Sequence, residues 1–195
     1  MESGTSPTTR KVMLVAEPTR ESAGAFQYAI SHVVLEKDEL ILLHVENPHS
    51  WRNTFSFLHR RSSLPSPSSS SNLNIEGEEN FLEAMINVCE IAHPKLSIRT
   101  EWIDMDNKGK EKDRANAILD KSDKLGADII IIGQKRSIST ALLGYKRSSS
   151  GLKAFDTTEY LIEKSKCTCV AVQKKGQNAG YVLNSKTHRN FWLLA

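Results

Sequence analysis

The stretch KLGADIIIIGQKR, Lys124–Arg136, decides the fold. Gly126 follows a polar, helix-periodic segment and reads as its stop, because glycine adopts the left-handed cap conformation without steric cost. An unbroken apolar run, Ile129–Ile132, comes next. It is short, β-branched and bounded by turn residues, the pattern of a strand buried on both faces. Such strands belong to parallel sheets covered by helices. Gly133 ends the run, and Gln134, Lys135 and Arg136 open a loop that continues with more Lys, Arg and Ser. A glycine at that point is where a phosphate-binding loop begins in many α/β proteins; the basic residues after it leave its purpose open.

The same alternation extends along the chain. KVMLVA (11–16), DELILLHV (38–45), KLSIRTEWID (95–104), ADIIIIG (127–133) and CTCVAVQ (167–173) read as strands. Between them lie segments of helical period. In the first, Ala23, Phe26, Ile30 and Val33 share a stripe, with Thr19 or Ser22 as cap. In GEENFLEAMINVCEIAHP the stripe is Phe81, Met85, Val88, Cys89 and Ala92, ended by Pro94. Lys110–Gly126 carries a narrow stripe of Ala115, Ile118, Leu119 and Leu125, and Asp156–Ser165 forms a last short helix. Strands alternating with helices predict a three-layer α/β domain: a five-stranded parallel sheet, Rossmann-like, with helices on both faces. Ligands of such sheets sit beyond the carboxyl ends of the strands. The loops after the first, second and fourth strands therefore hold any site.

The 195 residues suit one domain with irregular additions, and 39% hydrophobic residues suffice for one core. Balanced charge, 26 basic against 23 acidic residues, gives no ground for a nucleic-acid or membrane partner. No apolar run approaches the roughly 20 residues that span a bilayer. The first residues, MESGTSPTTRK, lack an apolar leader, and the cysteines, Cys89, Cys167 and Cys169, are odd and sparse. Together these point to a reducing compartment, cytoplasm or nucleus. Cys167 and Cys169 share one face of a strand and read as core packing.

Residues 1–10 read as a disordered leader and 11–173 as the domain. A Ser/Pro-rich stretch makes about 60–76 a disordered insertion within that domain. Residues 174–195 read as a tail whose FWLL segment either packs back on the domain or docks to a partner. Serines follow basic pairs in RRSS (60–63) and KRSSS (146–150), and Ser66 precedes a proline. Ser62, Ser63, Ser66, Ser148 and Ser149 are thus the phosphorylation candidates, each phosphate adding about −1.5 to −2 charge. A solvating linker explains the same composition.

The segments KVMLVAEPTRESAGAFQYAI, LILLHVENP, KLGADIIIIG and TTEYLIEKSKCTCVAV resemble a universal stress protein domain of the plant type, over about Lys11–Gln173 apart from the serine insertion. The resemblance implies an adenine-nucleotide alpha-hydrolase-like fold with strand order 3-2-1-4-5. It also implies a homodimer paired through the fifth strand, here 167–173. Some members bind ATP and others do not, so ATP or AMP is the implied cofactor. The ATP-binding members share Gly, two residues, Gly, nine residues, then Gly-Ser or Gly-Thr. Gly133 matches the first position, but the second falls on Arg136. Gly144 comes two residues early, and counting back from TTEYLIEKS the closing pair falls on Phe155 and Asp156. The family's strand-end Asp is Glu17 here. The nucleotide-site candidates are therefore Glu17, Gly133, Lys135, Arg136 and Gly144.

Chemistry gives these departures weight. A phosphate loop needs backbone N–H groups that approach the anion closely, and the Arg136 side chain obstructs that. A helix N-terminus attracts phosphate through free N–H groups. In DTTE, Asp156–Glu159, the aspartate caps those groups itself and adds a repelling charge. Lys135, Arg136, Lys146, Arg147 and Lys153 supply positive charge, but charge alone identifies no ligand. No Walker, dinucleotide or H-E-x-x-H motif occurs, and no catalytic or metal-ligating set is assigned. The sequence thus predicts a non-enzymatic stress-response module with a degenerate adenine-nucleotide site. Two alternatives stay open: an ATP-binding, slowly hydrolysing protein, and a phosphorylated signalling scaffold with protein partners.

Overall fold

The computed structural model describes residues 9–46, 73–105, 110–135, 155–176 and 180–186, with 73–80 as backbone only. Strands β1 (Lys11–Ala16), β2 (Glu39–Glu46), β3 (Ser97–Asp104), β4 (Ile129–Gly133), β5 (Thr168–Lys174) and β6 (Tyr181–Ser185) form one sheet. Its order is β3-β2-β1-β4-β5-β6. The first five strands are parallel, and β6 is antiparallel to β5. The α/β class and the order 3-2-1-4-5 hold; the sheet gains a sixth strand beyond the expected five.

The helices are α1 (Arg20–Tyr28), α2 (Leu73–Ala92), α3 (Glu111–Leu125) and α4 (Thr157–Lys164). Alternation along the strands sends side chains to two cores. Val12, Leu14, Leu40, Leu42 and Ile131 meet α1 and α2 through Phe26, Ile30, Leu82 and Met85. Met13, Val15, Ile41, Leu43, Ile130 and Ile132 meet α3 and α4 through Ala115, Ile118 and Leu161. The nearly continuous burial of β1 and β2 follows from this double covering. β3, paired with β2 alone among the described residues, alternates from Ser97 to Thr100, and Trp102 beyond them is exposed.

Caps set the helix ends. The Thr19 hydroxyl accepts from the Ser22 N–H at 3.1 Å, starting α1. The first helical pattern does not run on as one α-helix: Ala29–Val33 is a π-helical turn. Gly126 closes α3 at φ 64°, in the left-handed region its sequence position predicts. α2 begins at Leu73, inside the end of the stretch read as an insertion; 60–72 lie outside the described residues.

Two additions were not legible as structure. Arg10, read as part of a disordered leader, is pinned at the amino end of the sheet. Its Nε donates to Asp38 Oδ1 at 3.1 Å, its Nη2 pairs with Oδ2, and Nη2 also donates to the Val33 carbonyl at 2.7 Å. Asp38 is buried and also accepts from the Leu35 N–H at 2.8 Å. Within the expected tail, Tyr181–Ser185 pairs with Lys174–Val170. The edge of 167–173, expected to be free, is therefore occupied by β6. The FWLL segment lies outside the described residues. No helix among the described residues is long and apolar enough to cross a membrane.

Candidate functional site

The strand order reverses between β1 and β4, so their carboxyl ends flank the crevice where α/β sheets place ligands. Glu17 follows β1, Gly133 ends β4, and Gln134 and Lys135 follow it. α1, α3 and α4 all start at this end, after β1, after β3 and before β5.

α1 approaches β4 closely. A Cβ on Gly133 would lie 2.5 Å from the Glu21 carbonyl carbon, 2.6 Å from its oxygen and 2.7 Å from the Ser22 nitrogen. Backbone cannot yield there, so only glycine fits. This glycine is required by helix–strand packing, whatever the loop beyond it binds. The Ser22 side chain ties α1 to β1: its hydroxyl accepts from the Glu17 N–H at 2.9 Å and donates to the Val15 carbonyl at 3.2 Å.

Glu17 is engaged. Arg114, in the first turn of α3, forms an ion pair with it through Nη2 and Oε1. The arginine side chain is 15% exposed and the glutamate 29%. Burial pushes the Arg114 guanidinium down from its ordinary value, yet arginine stays charged at any physiological pH. Sequence reading missed Arg114, which lies 97 positions from Glu17.

The N-terminus of α4 is closed as its sequence predicts. Asp156 Oδ1 accepts from the Thr158 N–H at 2.8 Å and the Glu159 N–H at 3.2 Å. The Thr157 hydroxyl donates to Glu111 Oε2 at 2.9 Å, and the Tyr160 hydroxyl donates to Asn116 Oδ1 at 2.9 Å. These bonds hold α4 against α3, so Arg114, Glu17 and the α4 N-terminus gather at one end of the sheet. Lys135 is exposed at the same end. Arg136, Gly144 and the serines Ser62, Ser63, Ser66, Ser148 and Ser149 lie outside the described residues. No group of three or more His, Cys, Asp or Glu side chains placed to hold a metal ion occurs among the described residues.

His44, one strand over, is buried, with Nδ1 2.9 Å from the Ala16 carbonyl oxygen. Its ring packs edge-on against Phe81 and Trp102. It is a packed residue of β2. The thiols Cys89 and Cys169 are buried, and burial raises them to about 11 and about 12. Cys167 is raised too, by burial first. All three are poor nucleophiles at neutral pH.

No family model matches this sequence. No curated protein matches it either. Solved structures do. A protein whose biochemical function was assigned from its structure aligns at a TM-score of 0.51, with 18% identity over 86% of this chain and 98% of its own. A universal stress protein from Arabidopsis thaliana, solved with AMP bound, aligns at 0.50, with 15% identity over 85% and 92%. A protein of the universal stress protein family from Burkholderia pseudomallei aligns at 0.50, with 9% identity over 85% and 97%. The chain has the universal stress protein fold.

Proposed function

We propose that the chain is a non-enzymatic, universal stress protein-like module that holds adenine nucleotide weakly or not at all. The proposed site lies at the carboxyl ends of β1 and β4. The reversal of strand order there supports this reading, since α/β sheets bind ligands at such points, and a neighbour of the same fold is described with AMP bound. One observation carries the weakness. Asp156 takes the Thr158 and Glu159 N–H groups that a phosphate at the α4 N-terminus would need. Its carboxylate adds repulsion where the helix dipole would otherwise attract an anion.

That the module is non-enzymatic is argued from Glu17. A carboxylate already paired with Arg114 is a poor general base. Protein freed of bound nucleotide by unfolding and refolding is dialysed against ATP and assayed for phosphate release. The proposal expects ATP retention only at high micromolar concentration or above, and release no faster than a heat-treated control. Tight retention or steady multiple turnover would overturn it.

Assembly belongs to the same reading. A homodimer through strand 167–173 requires β6 to leave the edge it occupies, so β6 acts as a guard on that association.

A further inference from the structure

We propose that Arg114 is an anion ligand of this site, with Glu17 as the internal counter-ion that an incoming polyphosphate replaces. The proposal deepens the nucleotide reading, resting on it only for the identity of the molecule that carries the phosphates. Three observations support it. First, Arg114 is a largely buried cation held at the carboxyl end of β1 by its contact with Glu17, whereas Lys135 is exposed. A charge removed from water binds a counter-ion strongly, since little solvent screens the pair.

Second, among the described residues the pair leaves capacity unused. The contact runs from one guanidinium nitrogen, Nη2, to one carboxylate oxygen, Oε1. A guanidinium presents five N–H donors in a planar fork that matches phosphate as well as carboxylate. Among the described residues, Glu17 is the side-chain partner of Arg114. Glu17 is the more exposed of the two and follows a strand end, so it is the member free to swing towards solvent.

Third, the helix terminus beside it is shut. Asp156 occupies the α4 N–H groups, and Thr157 ties that terminus to Glu111, one turn before Arg114 on α3. An anion entering this end meets an obstructed helix terminus and an arginine paired with an exchangeable carboxylate. The exchange makes binding weak in the wild type, because the ligand must displace Glu17 before it gains Arg114.

The test is calorimetric titration of inorganic tripolyphosphate into the wild type, Glu17→Gln and Arg114→Lys at fixed ionic strength, with circular dichroism and a thermal melt confirming that each is folded. Glu17→Gln removes the competitor and raises affinity about tenfold, a change typical of losing one charged partner. Arg114→Lys keeps the charge but loses the fork, and lowers affinity by at least about threefold. If Arg114→Lys does not fold, the double variant Glu17→Gln/Arg114→Gln is compared with Glu17→Gln alone, and the gain must vanish. Equal affinities in all variants would show a strap between α3 and β1 and overturn the proposal. A gain in Glu17→Gln with no loss on altering Arg114 would overturn it equally, as unspecific charge. Adenosine titrated into the wild type separates the two readings. Tripolyphosphate effects without adenosine binding leave the anion site standing and remove the nucleotide. Adenosine binding without tripolyphosphate effects does the reverse.

Discussion

Single residues decide how this crevice is built. Gly133 stands where the sequence suggests the first glycine of a nucleotide loop, and the structure gives it a duty in the contact between α1 and β4. Gly133→Ala should therefore destabilise the protein by about 1–3 kcal/mol, the cost of forcing atoms into a filled space. Denaturant melts of the apo protein check this; an unchanged midpoint would mean that α1 sits further from β4. Asp38 poses a similar test at the opposite end. It accepts from Arg10 twice and from Leu35, so Asp38→Asn should cost about 1–3 kcal/mol by leaving donors unmatched. The capping role of Asp156 was legible, because it depends on neighbours two and three positions away. The pairing of Glu17 with Arg114 was not. Nothing local in the sequence links residues separated by two helices and two strands, α1, β2, α2 and β3.

At the scale of elements, β1, β2, β4 and β5 were legible because double burial writes an apolar run into each. β6 was not. YVLNS has no such run, since an edge strand buries little, and Leu183 remains exposed. Its anchor is Tyr181, whose ring meets Tyr28 at 5.2 Å and His32 at 5.7 Å, on the helix and π-turn beneath. Such aromatic contacts contribute about 0.5–1.5 kcal/mol beyond the buried area. Tyr181→Ser should release β6 locally, accelerating hydrogen exchange at 181–185 while β1 and β4 stay protected. Uniform acceleration across the sheet would instead make β6 part of the cooperative core.

For the whole molecule, a link between β3 and α3 contributes to stability towards acid. Lys121 bonds to Glu101 at 2.7 Å, and Arg99 lies 3.3 Å from it. The Lys121 hydrogen bond, helped by both positive charges, holds the Glu101 carboxyl below its ordinary value. A carboxyl lowered on folding contributes stability that is complete above its unfolded value and is lost as pH falls through the folded one. Glu101→Gln should therefore lower the melting temperature at pH 7 and converge with the wild type as pH drops well below about 4. A constant difference down to the acid limit would contradict the role given to this pair.

The proposed weakening of a nucleotide site by Asp156 rests on its capping of the α4 N-terminus. It is tested most directly by titrating ATP calorimetrically into the wild type and Asp156→Ser, a change that keeps a capping oxygen and removes the charge. The account predicts weak or undetectable wild-type binding and a gain of about 1–2 kcal/mol, roughly tenfold, in the variant. Micromolar binding by the wild type that weakens in Asp156→Ser would contradict it.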